Sequence, residues 1–455
     1  MSNPLTLVTR RMELERRSHM LPNEVKSWIN RTINQIDFNS HYSQLQAINI
    51  MMEVFFDRQK KIIEGFNSPE EIADFQFRIF RLLREITRTQ GIWDFFRDKL
   101  ESRFNPELKD PLAIADTVAF DCYRSTLNKA QELDIITADQ FREPPLTYLT
   151  VTDSPATLPR GSLPWDEDHS LKDAKLPIPV IELPWEHISN LWEFLSLHHE
   201  VAHDLEVDLQ LRPVLLNSLK QRLIKAGVPD SRIDIWSKWE KEIFADLVGL
   251  LFAGPAFAYS MINTLLLPPQ SVISYNSEDS HPSHYIRIFL NSAFVRTLIK
   301  GNKKIIKEAD KLDNLWIKLY GNIEKIGNHM VIDFKNDLPI IFEALIDSKF
   351  DILKGYSVRE LIPYTASDDA KIKSAIIFLI SGQDRPSYIR PRHIISASRL
   401  ALDQIAIQSN DHSNKINDLN IRTAELVKAN TPSGLRAAVD SKKHSDFIKS
   451  LAEAL

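Results

Sequence analysis

Only one cysteine, Cys122, occurs in the 455 residues, so no disulfide can close within the chain and a cysteine-built zinc cluster is excluded. A reducing, cytoplasmic setting is the expectation that follows. Glycine is also scarce, 12 residues against 24 prolines, which favours helices interrupted by a few proline-rich irregular stretches. No glycine-rich phosphate loop and no Gly-x-Ser-x-Gly nucleophile elbow can be found, leaving nucleotide-cradling and serine-hydrolase chemistry without their usual carriers. Nor is there an excess of charge: 56 Lys and Arg against 61 Asp and Glu leave a net −5, no global field for a polyanion. No nucleic acid is expected as a partner, and membrane association is not expected either.

Arg10, Arg11, Arg16 and Arg17 are interspersed with Glu13 and Glu15 and lack the apolar run that follows the basic residues of a secretory signal. The stretch from Leu247 to Pro268 carries no formal charge and is about as long as a membrane span. Gly254-Pro255, Tyr259, Ser260 and Asn263 interrupt it, and two shorter buried helices, or a helix and a turn, explain it better.

An apolar share of 43% suffices for a sizeable core. Up to about residue 140 the pattern is one of successive amphipathic helices. Ser68-Pro69-Glu70-Glu71 reads as a capped helix start ahead of Phe75, Ile79, Leu82 and Ile86, and Leu45 to Phe56 and Ala113 to Leu127 have the same helical spacing. Between Pro144 and Pro184 eight prolines forbid a long helix. Two extended runs remain there, Leu146 to Val151 and Ile178 to Leu183, the second marked by Pro179 as an edge strand or a strand end. As an edge it could pair with a substrate backbone. Helices are predicted from Glu186 to about Leu209, from about Pro229 or Asp234 through Leu251, and from about His284 onward. Beyond residue 300 the chain is again helical, with Ser367-Asp368-Asp369 opening one helix and Arg392 to Ile407 forming another, before a weakly patterned tail after about residue 408.

Hydrolytic zinc wants three protein ligands and an open position for water, and two histidines four residues apart on one helix face can supply two of them. His199 and His203 in His199-Glu200-Val201-Ala202-His203 have that spacing. Glu200 can take a proton from a water whose pKa the metal lowers. Leu191, Leu195, Val201, Ala202 and Leu205 give the helix an apolar side, and His198 is read as a neighbour. Glu242-Ile243-Phe244-Ala245-Asp246 offers two carboxylates on one face of the next helix. Glu242 would be the third ligand. Asp246, one turn on in an apolar helix, would accept the free ring proton of a ligating histidine, His199 for preference.

A third element follows at Ser280-His281-Pro282-Ser283-His284-Tyr285-Ile286-Arg287-Ile288. A His-Glu-x-x-His helix, a Glu-x-x-x-Asp helix and then Ser-His-Pro with an Arg-Ile pair six residues after the histidine resembles the HtpX-like and CAAX-prenyl-type gluzincin endopeptidases. The resemblance covers about residues 185 to 295 and implies His199, His203 and Glu242 as zinc ligands, Glu200 as base, Asp246 behind the ligands, and His281 and Arg287 as catalytic supports closing the site from the other side. The chain departs from those families in lacking their clear transmembrane helices. His281, His284 or Tyr285 could donate to a developing oxyanion. His281 could equally cap the next helix, and Arg287 could pair with a buried carboxylate.

The expected architecture is mainly α with a small β-sheet (α+β): an N-terminal helical domain over residues 1–140, a zincin-like catalytic core over 141–300 and a C-terminal helical domain over 301–455. The expected activity is zinc-dependent peptide hydrolysis of narrow or regulated specificity, with a protein or peptide as substrate and the helical flanks available to a protein partner. The alternative is a non-catalytic regulatory protein with a structural or vestigial zinc site.

Overall fold

Asn105 accepts a hydrogen bond from the Glu107 backbone N–H at 2.9 Å and is followed by Pro106, a start signal read directly into structure. It opens a helix of 27 residues, Pro106–Glu132, buried on both its Ile114–Ala115 and Val118–Ala119 turns. The structure, a computed structural model, describes residues 4–67, 72–162, 175–276, 278–408, 412–432 and 442–453. The expected cap at Ser68-Pro69-Glu70-Glu71 lies outside the described residues.

Three long helices come first, α1 (Pro4–Ile33), α2 (Tyr42–Glu64) and α3 (Ile72–Glu101), followed by α4 (Pro106–Glu132). Strands β1 (Leu146–Thr150), β2 (Ala156–Leu158) and β3 (Val180–Pro184) make a three-stranded sheet of order β1-β3-β2, parallel between β1 and β3 and antiparallel between β3 and β2. Then come α5 (Ser196–Asp208), α6 (Arg212–Lys225), α7 (Asp230–Ala253), α8 (Pro255–Thr264), α9 (Pro269–Val272) and α10 (His284–Val295). A hairpin of β4 (Lys325–Ile326) and β5 (His329–Met330) separates α11 (Lys303–Tyr320) from α12 (Val331–Phe342). The chain ends in α13 (Val358–Leu361), α14 (Ala366–Ser381), α15 (Pro391–Gln408), α16 (His412–Ala429) and α17 (Lys442–Glu453). The architecture is mainly helical with a small sheet.

Several sequence expectations are corrected. The stretch 178–183 is not an edge: β3 is the central strand, held on both sides, and Pro184 ends it. Pro179 lies just outside, with its carbonyl accepting from Leu146 N–H at 3.0 Å, so the proline never has to donate to the ladder. The helix expected from Glu186 begins only at Ser196, because residues 185–189 and 191–195 form two tight 3-10 turns broken at Asn190. The weakly patterned tail contains α16 and α17. Ile448 and Ala452 of α17 pack into the apolar core of α1–α3, and Arg58 donates to the Ala452 carbonyl at 2.7 Å.

The apolar stretch Leu247 to Pro268 divides at Gly254, whose φ of 63° and ψ of −149° suit only glycine. A Cβ there would collide with the Tyr364 ring. Among the described residues no helix is long and apolar enough to cross a membrane.

One apolar core runs from Ile114 to Val427 and includes residues of α4, α5, α7, α8, α10 and α15, so the boundary expected near residue 300 falls within shared packing. Buried ion pairs fasten the sheet beneath α5. Arg160, just past β2, binds Glu143 and Asp208 at 3.0 Å each, and Thr157 of β2 donates to Asp204 of α5 at 3.1 Å. These contacts fix the position and tilt of the helix that carries His199 and His203.

Candidate metal centre

α5 is buried over Leu197–Glu206, every residue of three turns. Val201, Ala202 and Leu205 anchor its apolar side in the core, which turns positions 199, 203 and 206 towards α7. That helix is buried without a break from Glu242 to Ala253. Glu242 and Asp246 therefore meet the two histidines across a buried helix–helix contact.

The ligating atoms converge. His199 Nε2 lies 3.1 Å from His203 Nε2 and 3.2 Å from Glu242 Oε2, and His203 Nε2 lies 3.6 Å from Glu242 Oε1. Bonds of about 2.0–2.1 Å to one metal at tetrahedral angles separate ligand atoms by about 3.3 Å, so these spacings fit a shared ion. Among the described residues this is the one His/Cys/Asp/Glu group able to hold a metal. The donor set of two imidazoles and a carboxylate suits zinc.

Behind His199 the support is complete. Its Nδ1 faces Asp246 Oδ1 at 2.9 Å, which makes Nδ1 the protonated nitrogen and leaves Nε2 for the cluster. Arg287 of α10 holds the same carboxylate through Nε at 2.6 Å and Nη2 at 2.8 Å, and Asn291 donates to it at 3.3 Å. Asp246 is fully buried. Arg287 thus acts on the centre through Asp246, with its Nη2 3.7 Å from Glu242. Asn291 was not anticipated; its only signal in the sequence is its place one turn beyond Arg287.

Burial lowers the pKa of His199, but hydrogen bonds and charge from Asp246 and Glu242 outweigh this and raise it to about 10. His203 is held well below the usual histidine value by burial and by its charged neighbour. Burial would raise Glu242, yet the His199 hydrogen bond and charge keep it well below the usual carboxylate range. Asp246 is likewise lowered to about 2, against its burial, by Arg287 and His199. Glu200 stands apart: burial pushes it up to about 7, with His199 opposing and Glu242 reinforcing, a value suited to proton exchange near neutrality.

His281 is exposed beside the cluster, with Nε2 3.4 Å from Glu242 Oε2 and Nδ1 3.1 Å from Asp279. The cap of α10 is instead Ser283, which accepts from the Ile286 N–H. Tyr285 is fully buried; its hydroxyl donates to the Gly321 carbonyl at 2.9 Å and accepts from Ile323 N–H at 3.0 Å, so it is committed elsewhere. His284 is half-buried at the start of α10. His198 points the other way, its Nδ1 on the Leu195 carbonyl at 2.9 Å. One turn beyond the cluster, Glu206 and Glu240 form a buried acidic pair, raised to about 7 and about 8 by burial, although Lys238 and Lys241 beside Glu240 give it the look of a surface position in the sequence.

Comparison with protein families, with curated proteins and with solved structures returned no match.

Proposed function

We propose that the chain is a zinc-dependent endopeptidase with a zincin-like core, the reading supported best by the convergence of His199 Nε2, His203 Nε2 and Glu242 at ligand-to-ligand spacing. A bound zinc ion would supply a Lewis acid that polarises the scissile carbonyl and lowers the pKa of an attacking water. Glu200, buried next to the ligating His199, would take the proton from that water and pass it to the leaving amine. His281, oriented by Asp279, places a donor at the exposed side of the cluster, where oxyanion charge would develop. Arg287 is a positioning residue, holding Asp246 so that Asp246 holds His199.

β2 is the strand that supports substrate docking. It ends the sheet next to α5, and among the described residues no strand pairs with its outer side. An extended peptide added there would be held largely by its backbone.

The test is metal content and peptide hydrolysis of wild type and Glu200→Gln. The expected result is about one zinc per chain in both, with hydrolysis at least a hundredfold lower in the variant. Zinc in both with equal turnover would refute the base assignment. Zinc in both with no cleavage by wild type, in extracts that retain their own peptides, would favour a structural metal.

A further inference from the structure

A cavity of about 500 Å³ opens between α4, the turn joining α13 to α14, and the start of α15, and none of its lining residues belongs to the metal centre. Its walls carry four basic side chains, Arg124, Lys129, Arg390 and Arg392, and three acids, Asp121, Glu132 and Asp368. The acids are engaged within the fold. Glu132 pairs with Lys129 at 3.0 Å. Asp121 accepts from the Arg392 backbone N–H at 3.3 Å and lies 3.9 Å from the Arg392 guanidinium, whose Nη1 donates to Ser125. Asp368 accepts from the backbone N–H and the hydroxyl of Thr365, at 2.9 and 2.7 Å, and so caps α14. Arg124 and Arg390 are left over. Both are half-buried, and among the described residues neither has a carboxylate within ion-pair distance.

Arg124 is the more telling of the two. Its guanidinium lies 3.9 Å from the centre of the Phe141 ring, and its Nη1 is buried with no hydrogen-bond partner. The ring supplies a face to lie against but no lone pair for the N–H donors. Burial lowers the pKa of Arg124, and the one group opposing the shift is Tyr123, not a carboxylate. A buried charge without a counter-charge is unfavourable to the fold, and an anion entering the cavity would offset that cost. We infer that the cavity binds a small phosphorylated ligand, whose phosphate pairs with Arg124 and Arg390. Guanidinium groups match phosphate oxygens through parallel N–H donors, and two of them balance a phosphate charge near −2. A lone carboxylate would balance only one. The cavity volume lies in the range of small-ligand sites and leaves room for more than the phosphate itself. Nothing in this inference depends on the metal centre.

The experiment is calorimetric titration of the full chain with inorganic phosphate at about pH 8, where phosphate is mostly a dianion, with acetate at equal ionic strength as the monoanion control. Phosphate is expected to bind with a Kd of about 1 mM or tighter, and acetate at least about tenfold more weakly. Arg390→Gln and Arg124→Met each remove one charge-assisted contact and should each weaken phosphate at least about tenfold. Lys129→Gln with Glu132→Gln removes a pair that is already neutral and should change the Kd less than about twofold. Urea unfolding separates a ligand role from a role in the fold. Without phosphate, Arg124→Met keeps an apolar contact with Phe141 and loses an uncompensated charge, so its midpoint should equal or exceed that of wild type. Phosphate at about ten times its Kd should raise the wild-type midpoint and raise those of the two arginine variants far less. The proposal is overturned by absence of phosphate binding, by equal binding of acetate, or by phosphate binding that survives both arginine substitutions. A lowered Arg124→Met midpoint in phosphate-free buffer also overturns it, because the guanidinium would then serve the fold.

Discussion

Replacing Asp246 with Asn tests how the centre is organised. The carboxylate is fully buried and accepts from His199 Nδ1, from Arg287 through two nitrogens and from Asn291. Asn keeps the shape and removes the charge, leaving the Arg287 guanidinium, itself 7% exposed, without its main counter-charge. Removing one partner of such a pair costs about 3–5 kcal/mol, because a charge then remains buried and uncompensated. Arg287→Met should cost a similar amount for the converse reason. The double variant removes both charges, so its loss should fall short of the sum of the singles by about 2–3 kcal/mol. Urea unfolding of the metal-free chain, followed by tryptophan fluorescence, measures each corner of the cycle. Zinc affinity by chelator competition is the second assay: without a carboxylate to fix the tautomer of His199, it should drop about 10–100-fold in Asp246→Asn. Additive singles, or a variant within about 1 kcal/mol of wild type, would show that Asp246 is not the pivot between α5, α7 and α10.

Two further outcomes follow from the charges at the centre. His199 is raised to about 10 without metal, so it is protonated at pH 7 and binding of a cation must expel about one proton. Calorimetry of zinc binding in buffers of different ionisation enthalpy should give a slope near one, and a slope near zero would remove the protonated His199. The same shift implies that His199 stabilises the metal-free fold fully below its unfolded pKa of about 6.5 and loses that contribution as pH rises towards 10. Glu206 and Glu240 act in the same direction. Their folded pKa values of about 7 and about 8 lie above the unfolded range, so the folded chain binds more protons and stability declines between about pH 4.5 and 8. Glu240→Gln should flatten this part of the profile and raise the urea midpoint at pH 8.5; an unchanged slope would mean the pair is not buried.

The elements of the centre were legible because each leaves a short-range mark. The four-residue spacing of His199 and His203, the matching spacing of Glu242 and Asp246, and the start of α10 at His284 are local properties of helices, and local properties survive in sequence. That the three helices meet was not legible from spacing alone, since nothing in a helix period states which helix faces which. Asn291 and the Glu206–Glu240 pair were missed for this reason: each matters only through a residue more than thirty positions away. The sheet shows the same division. β1 and β3 were recognisable as extended, apolar runs, but the order β1-β3-β2 depends on a three-residue strand, Ala156–Leu158, too short to produce a periodic signal.

That short strand decides how a peptide could approach. With β3 enclosed, Pro179 and Pro184 are capping features of a central strand, and a substrate strand of the proposed kind would add to the outer side of β2. Thr157 both pairs with Ile181 and donates to Asp204, one residue beyond His203. A backbone laid against β2 would thus be registered to α5 by a side chain next to the ligand helix.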